Sequence, residues 1–73
     1  MNHASPIRVD RARPGDLITG TLASGDYPEP CRIAAIVEAP EHSQRMTAYW
    51  LVWMDGGRVC YYGDTEIWLG QRP

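Results

Sequence analysis

The side chains best suited to nucleophilic or metal chemistry are two cysteines, Cys31 and Cys60, and two histidines, His3 and His42. Cys60 or Cys31 beside His42 would make a thiol–imidazole pair, and all four together could in principle ligate zinc. Neither idea has support in the spacing. No two of them sit at the short intervals that zinc sites use, and no third group or oxyanion motif accompanies the thiol and imidazole. A chain of 73 residues also has little room for a deep pocket that excludes water. Two cysteines are too few for a disulfide scaffold. The expectation is a protein without catalysis, metal or cofactor.

A second chemistry is cation recognition by aromatic rings. Tyr27, Tyr61, Tyr62 and Trp68 could surround a cation, with Asp64 or Glu66 as its carboxylate, although nothing in their spacing demands it. A third is nucleic-acid contact. Arg8, Arg11 and Arg13 form a basic stretch near the N-terminus, and exposed Trp or Tyr could stack on bases. The net charge of −2 and the acids Glu29, Glu38, Glu41, Asp64 and Glu66 weigh against a dominant phosphate interaction. Every basic residue is Arg and there is no Phe, a bias that fits a high-GC genome such as that of an actinobacterium or its phages.

The elements that must carry these residues are short and extended. Residues 1–13 have few apolar side chains and read as a loose arm, with Ile7 and Val9 its best candidates for order. Pro14-Gly15-Asp16 is a turn, and Leu17 to Leu22 is the first strand. Ala23 to Pro30 contains Gly25, Asp26, Pro28 and Pro30 and reads as a loop. In Cys31 to Ala39, apolar and polar residues alternate better than they follow a helical stripe, which predicts a strand. Glu41 to Arg45 is a polar loop. Thr47 to Met54 and Arg58 to Tyr62 are aromatic and β-branched strands joined by Asp55-Gly56-Gly57, a hairpin signal. After Gly63-Asp64-Thr65, Glu66 to Leu69 makes a final strand.

Six of the seven aromatic residues lie between Tyr49 and Trp68, so most of the available core is expected in the C-terminal half. Five strands around one hairpin suggest an all-β domain that closes or nearly closes into a barrel, since closure removes exposed sheet edges; an open meander is the competing architecture, although it would leave half the aromatics wet. The longest apolar runs are far too short to span a bilayer, and the N-terminus lacks a basic-then-apolar leader pattern. The expected setting is the cytoplasm or a virus particle assembled there.

The stretch Tyr49-Trp50-Leu51-Val52-Trp53-Met54-Asp55-Gly56 resembles the aromatic-x-aliphatic-x-Trp-x-Asp-Gly pattern of small SH3-like barrels. These include short actinobacterial domains of unknown function and, more distantly, Tudor and KOW-type barrels. Pro14-Gly15-Asp16-Leu17-Ile18 is similar to their entry turn, and Arg32 to Glu38 stands where their second strand does. The resemblance implies a five-stranded SH3-like barrel over residues 14–70, preceded by an arm over residues 1–13.

The functional expectation comes from the strand Thr47 to Met54. Tyr49, Leu51 and Trp53 share one face, and Trp50, Val52 and Met54 share the other, so both faces are apolar. One face must line the core. The second is either covered by the arm or exposed as a contact patch of Trp50, Met54, Tyr62 and Trp68. The exposed case describes a non-catalytic binding module, a small accessory or regulatory protein docking on a larger protein or on its own copy. The alternative is a nucleic-acid-binding barrel that uses Arg8, Arg11 and Arg13.

Overall fold

A computed structural model describes residues 5–71. Within them are six strands: β1 (Ser5–Arg8), β2 (Leu17–Thr21), β3 (Gly25–Glu38), β4 (Ala48–Trp53), β5 (Arg58–Tyr62) and β6 (Glu66–Gln71). Single turns of 3-10 helix lie at Val9–Arg11 and Pro40–His42, and no α-helix is present among the described residues. All pairings are antiparallel, and the strands lie in the order β1-β6-β2-β3-β4-β5.

The all-β expectation holds, but the strands number six rather than five, and the sheet is not closed into a barrel. The sixth strand comes from the N-terminal segment. Far from being loose over its described part, it supplies β1, which pairs from Ser5↔Leu69 to Arg8↔Glu66. Beyond β1, the Val9 N–H donates to the Thr65 carbonyl at 2.9 Å and the Asp10 N–H to the Gly63 carbonyl at 3.0 Å. Val9 itself is fully buried. β1 thus forms one edge of the sheet beside β6, and β5 forms the other.

The hairpin turn follows its sequence signal. Gly56 adopts φ 100°, which a residue with a Cβ resists, and the Gly57 N–H donates to Asp55 Oδ1 at 3.0 Å. At the entry turn, Asp16 is fully buried and its Oδ2 accepts from the Arg13 N–H at 2.9 Å. The segment Ala23 to Pro30 departs from expectation, because from Gly25 onward it is strand. Gly25 and Asp26 pair with Thr21 and Gly20, and Cys31 and Arg32 pair with Ile18 and Leu17. Between these two blocks, Tyr27 to Pro30 bulge past Thr19. Pro28 and Pro30 therefore lie where no ladder hydrogen bond is required of them.

The core is aliphatic. Val9, Ile18, Ile33, Leu51 and Ile67 are fully buried and form one cluster. All seven aromatic side chains are instead partly exposed. Tyr27, Tyr49, Trp53 and Tyr61 pack against the cluster as its wall. A small open sheet can enclose a few aliphatic side chains but leaves large rings at its margin.

Two substitutions test this arrangement by urea unfolding. Val9→Ala should cost about 2 kcal/mol, as expected for a truncated core residue, whereas a merely draped arm would lose no more than about 0.5 kcal/mol. At Gly20, a Cβ would run into the Gly25 carbonyl and lie 2.7 Å from the Asp26 Cα. Gly20→Ala should therefore cost about 1–3 kcal/mol through backbone displacement.

Candidate functional site

Strand pairing decides which side chains share a face. Val37, Trp50 and Cys60 form one row across β3, β4 and β5, because Val37 pairs with Trp50 and Trp50 with Cys60. Ala35, Val52 and Arg58 form the next row, and Ala48 opposes Tyr62 beyond the first. Leu51 and Val59, Tyr49 and Tyr61 form the rows of the opposite face, which holds the core. The face bearing Trp50 is thus the outward one. It is not covered by the described part of the N-terminal segment, which lies against β6.

Trp50 on this face is half-buried, and its neighbours are polar. Its indole N–H donates to Glu41 Oε2 at 3.1 Å. His42 meets the ring edge-on, with centroids 5.5 Å apart. The Arg58 guanidinium lies over the ring at 3.9 Å from its centroid, a cation–π geometry. Tyr62 is diagonal to Trp50 and similarly capped, with the Arg45 guanidinium 4.4 Å from its ring centre. Asp64 holds Arg45 there through contacts of 3.0 and 3.3 Å.

The loop after β3 brings Glu41 and His42 to Trp50. The Ser43 hydroxyl fastens that loop, donating to the Ala39 carbonyl and accepting from the Ala48 N–H, each at 2.8 Å. A depression of about 330 Å³ opens beside it, lined by His42, Gln44, Ala48, Cys60, Tyr61 and Tyr62.

The other expected contact residues are dispersed. Met54 is 62% exposed, but it lies in the hairpin turn, not on β4. Trp68 stands on β6, pairing with Pro6 and Gly20, and the sheet order puts β2 and β3 between it and β4. Trp68 therefore belongs to a different part of the surface from Trp50 and Tyr62. Val37, which is 50% exposed, was not singled out from the sequence: strict alternation puts it on the face of the buried Ile33, and the register shift between Ile33 and Ala35 turns it outward instead. Arg45 and Arg58 were missed because only the folded register sets them over the rings.

The cage rings are not assembled around one point. Tyr27 and Tyr61 meet through their hydroxyls at 2.9 Å, and Tyr27 meets Trp53 edge-on at 6.0 Å. Burial, reinforced by the Tyr61 bond, pushes the Tyr27 phenol well above its ordinary range. Tyr62 faces the opposite way from Tyr61, and Trp68 is on β6.

In the basic stretch, Arg8 is bound by Asp10 at 2.8 Å, Arg11 ends the first 3-10 turn, and Arg13 is exposed beside the entry turn. Among the described residues, no group of three His, Cys, Asp or Glu could hold a metal ion; His3 lies outside them. Cys31 and Cys60 are free thiols. His42 and Cys60 do line the same depression, yet burial and then the nearby Glu41 carboxylate push the Cys60 thiol up, opposite to an activated nucleophile. No helix is long and apolar enough to cross a membrane among the described residues.

The Glu41 carboxyl is held below the usual range by its own backbone N–H and then by the Trp50 indole. A lowered value means that the contact persists above the ordinary carboxyl range and is lost as pH falls through the folded value. The Trp50 indole N–H resonance should accordingly shift in acid with a midpoint below the unperturbed Glu value of about 4.3. Glu41→Gln should abolish that titration. No protein-family model, curated protein or solved structure matches this chain.

Proposed function

We propose that this protein is a non-catalytic binding module whose outward β3–β4–β5 face docks on a protein partner. The observation that carries this reading is the row Val37–Trp50–Cys60 with Tyr62 beside it, an apolar strip in which Val37 is 50% exposed and the two rings meet polar side chains. Its rings are overlaid by Arg58 and Arg45. Trp, Tyr and Arg are the residue types that most often dominate binding energy at protein interfaces. The guanidinium groups keep the strip wetted in the free protein and can swing aside or stack against a partner.

Strands β2 and β4 to β6 lie where the sequence predicts them, and β3 contains the remaining predicted strand but begins at Gly25 rather than Cys31. This supports a kinship with small SH3-like barrels, in which the N-terminal segment adds a strand and closure is absent. Fold alone would not assign a role, since such frameworks serve many. The role proposed here rests on the face.

A photo-cross-linking residue at Val37, expressed in the native host, should give a discrete protein adduct that is lost on Trp50→Ser. The same probe at Ala23, on the exposed β2–β3 turn, should give none. Trp50→Ser should leave the protein folded by circular dichroism. An unfolded variant would make Trp50 structural and remove the basis of the proposal.

A gel-shift series across salt tests the nucleic-acid alternative. No shift is expected even at low salt, since Arg8 is already neutralised by Asp10 and its strand is fixed on β6. A salt-sensitive shift that disappears when Arg8, Arg11 and Arg13 become Ala would overturn the protein-contact reading.

A further inference from the structure

The two ends of the sheet differ in how they are protected. At β1, the Val9 N–H to Thr65 bond identifies Val9 and Thr65 as a hydrogen-bonded pair. By alternation, the backbone groups of Pro6 and Arg8 then point away from β6. Pro6 has no N–H to offer at that free edge, and Arg8 adds a charge, two of the devices by which proteins blunt a sheet edge.

At the other end, the Trp53 N–H donates to Gly57 and the Gly63 N–H to Thr47. The residues of β5 that bond to β4 are therefore Val59 and Tyr61, and the backbone groups of Arg58 and Cys60 point outward with the Tyr62 N–H, while the Tyr62 carbonyl accepts from the Thr65 N–H at 3.0 Å. No proline stands at those positions. The β4–β5 ladder runs from Ala48↔Tyr62 to Val52↔Arg58 without a bulge, unlike the β2–β3, β2–β6 and β3–β4 ladders. Among the described residues, no strand pairs with this edge. Arg58 puts a charge at the start of this edge, but Cys60 and Tyr62 carry none, and their outward N–H groups are presented by a regular strand.

We infer that β5 pairs antiparallel with β5 of a second copy, about a two-fold axis at Cys60. In this register Cys60 exchanges hydrogen bonds with Cys60 of the second copy, and the Arg58 carbonyl accepts from the Tyr62 N–H of the second copy. The side chains also match. Arg58 opposes Tyr62 and Val59 opposes Tyr61, so aromatic rings meet a cation and a β-branched residue, and no like charges face each other. The result is one continuous twelve-stranded sheet, with the two Val37–Trp50–Cys60 rows joined end to end across the axis. The pairing uses the strand edge and leaves the outward face free, so it stands independently of the partner proposed above.

Light scattering after size exclusion, across a concentration series, should show a species of twice the single-chain mass at high concentration. A single-chain mass throughout would overturn the inference. Cys60→Pro removes the central outward N–H without touching a β4 bond. It should weaken dimerisation at least about tenfold, as expected for losing one hydrogen bond per subunit at the interface. A dimer unchanged in a folded Cys60→Pro protein would place the contact elsewhere.

Should that variant fail to fold, Cys31→Ser protein treated with a short bismaleimide decides the matter. A covalent dimer through Cys60 is expected at concentrations where the mass is doubled. A doubled mass without that cross-link would refute the register.

Discussion

Enclosing an aliphatic cluster with very little chain is the constraint on which this structure turns. Val9, Ile18, Ile33, Leu51 and Ile67 come from five different places along the sequence, and each is fully buried. None of the segments that carry them could bury its residue alone. The N-terminal segment is drawn onto β6 because Val9 completes the cluster, and β3 must run long enough to serve β2 with one half and β4 with the other. The bulge at Tyr27 to Pro30 lets a single strand do both. With so few residues inside, the rings of Tyr27, Tyr49, Trp53 and Tyr61 become a wall, and Trp50, Tyr62 and Trp68 remain for the surface.

Much of this was legible in advance where the signal is local. Turn residues bounded β2, β4, β5 and β6, and Asp55-Gly56-Gly57 marked the hairpin because only a residue without Cβ takes the positive φ at Gly56 easily. Alternation correctly separated Trp50 from Leu51. The readings that failed depended on context. Pro28 and Pro30 suggested a loop, since nothing local reveals that β2 makes no demand on those backbone groups. Ser5 to Arg8 is too short and too polar to announce a strand, and its order comes from β6 at the far end of the chain.

The candidate face was legible in the same uneven way. Period-two alternation places Trp50 and Tyr62 outward, but grouping Trp68 with them required the strand order, and that order separates them. The polar setting of Trp50 was invisible because Glu41, His42 and Arg58 reach it from a loop and a neighbouring strand. Aromatic residues announce themselves in a sequence; what sits on top of them does not.

The pairing of β1 with β6 also bears on the order in which the molecule can assemble. Ser5 meets Leu69 across almost the whole chain, so this contact closes the largest loop in the fold and bears the largest entropic cost of closure. The β4–β5 hairpin, closed by a short turn, is the most local contact available. Topology therefore favours a sequence of events in which the β4–β5 hairpin forms early and the seating of Val9 comes last. During synthesis Ile7 and Val9 are made before β6 and have no home until that strand follows.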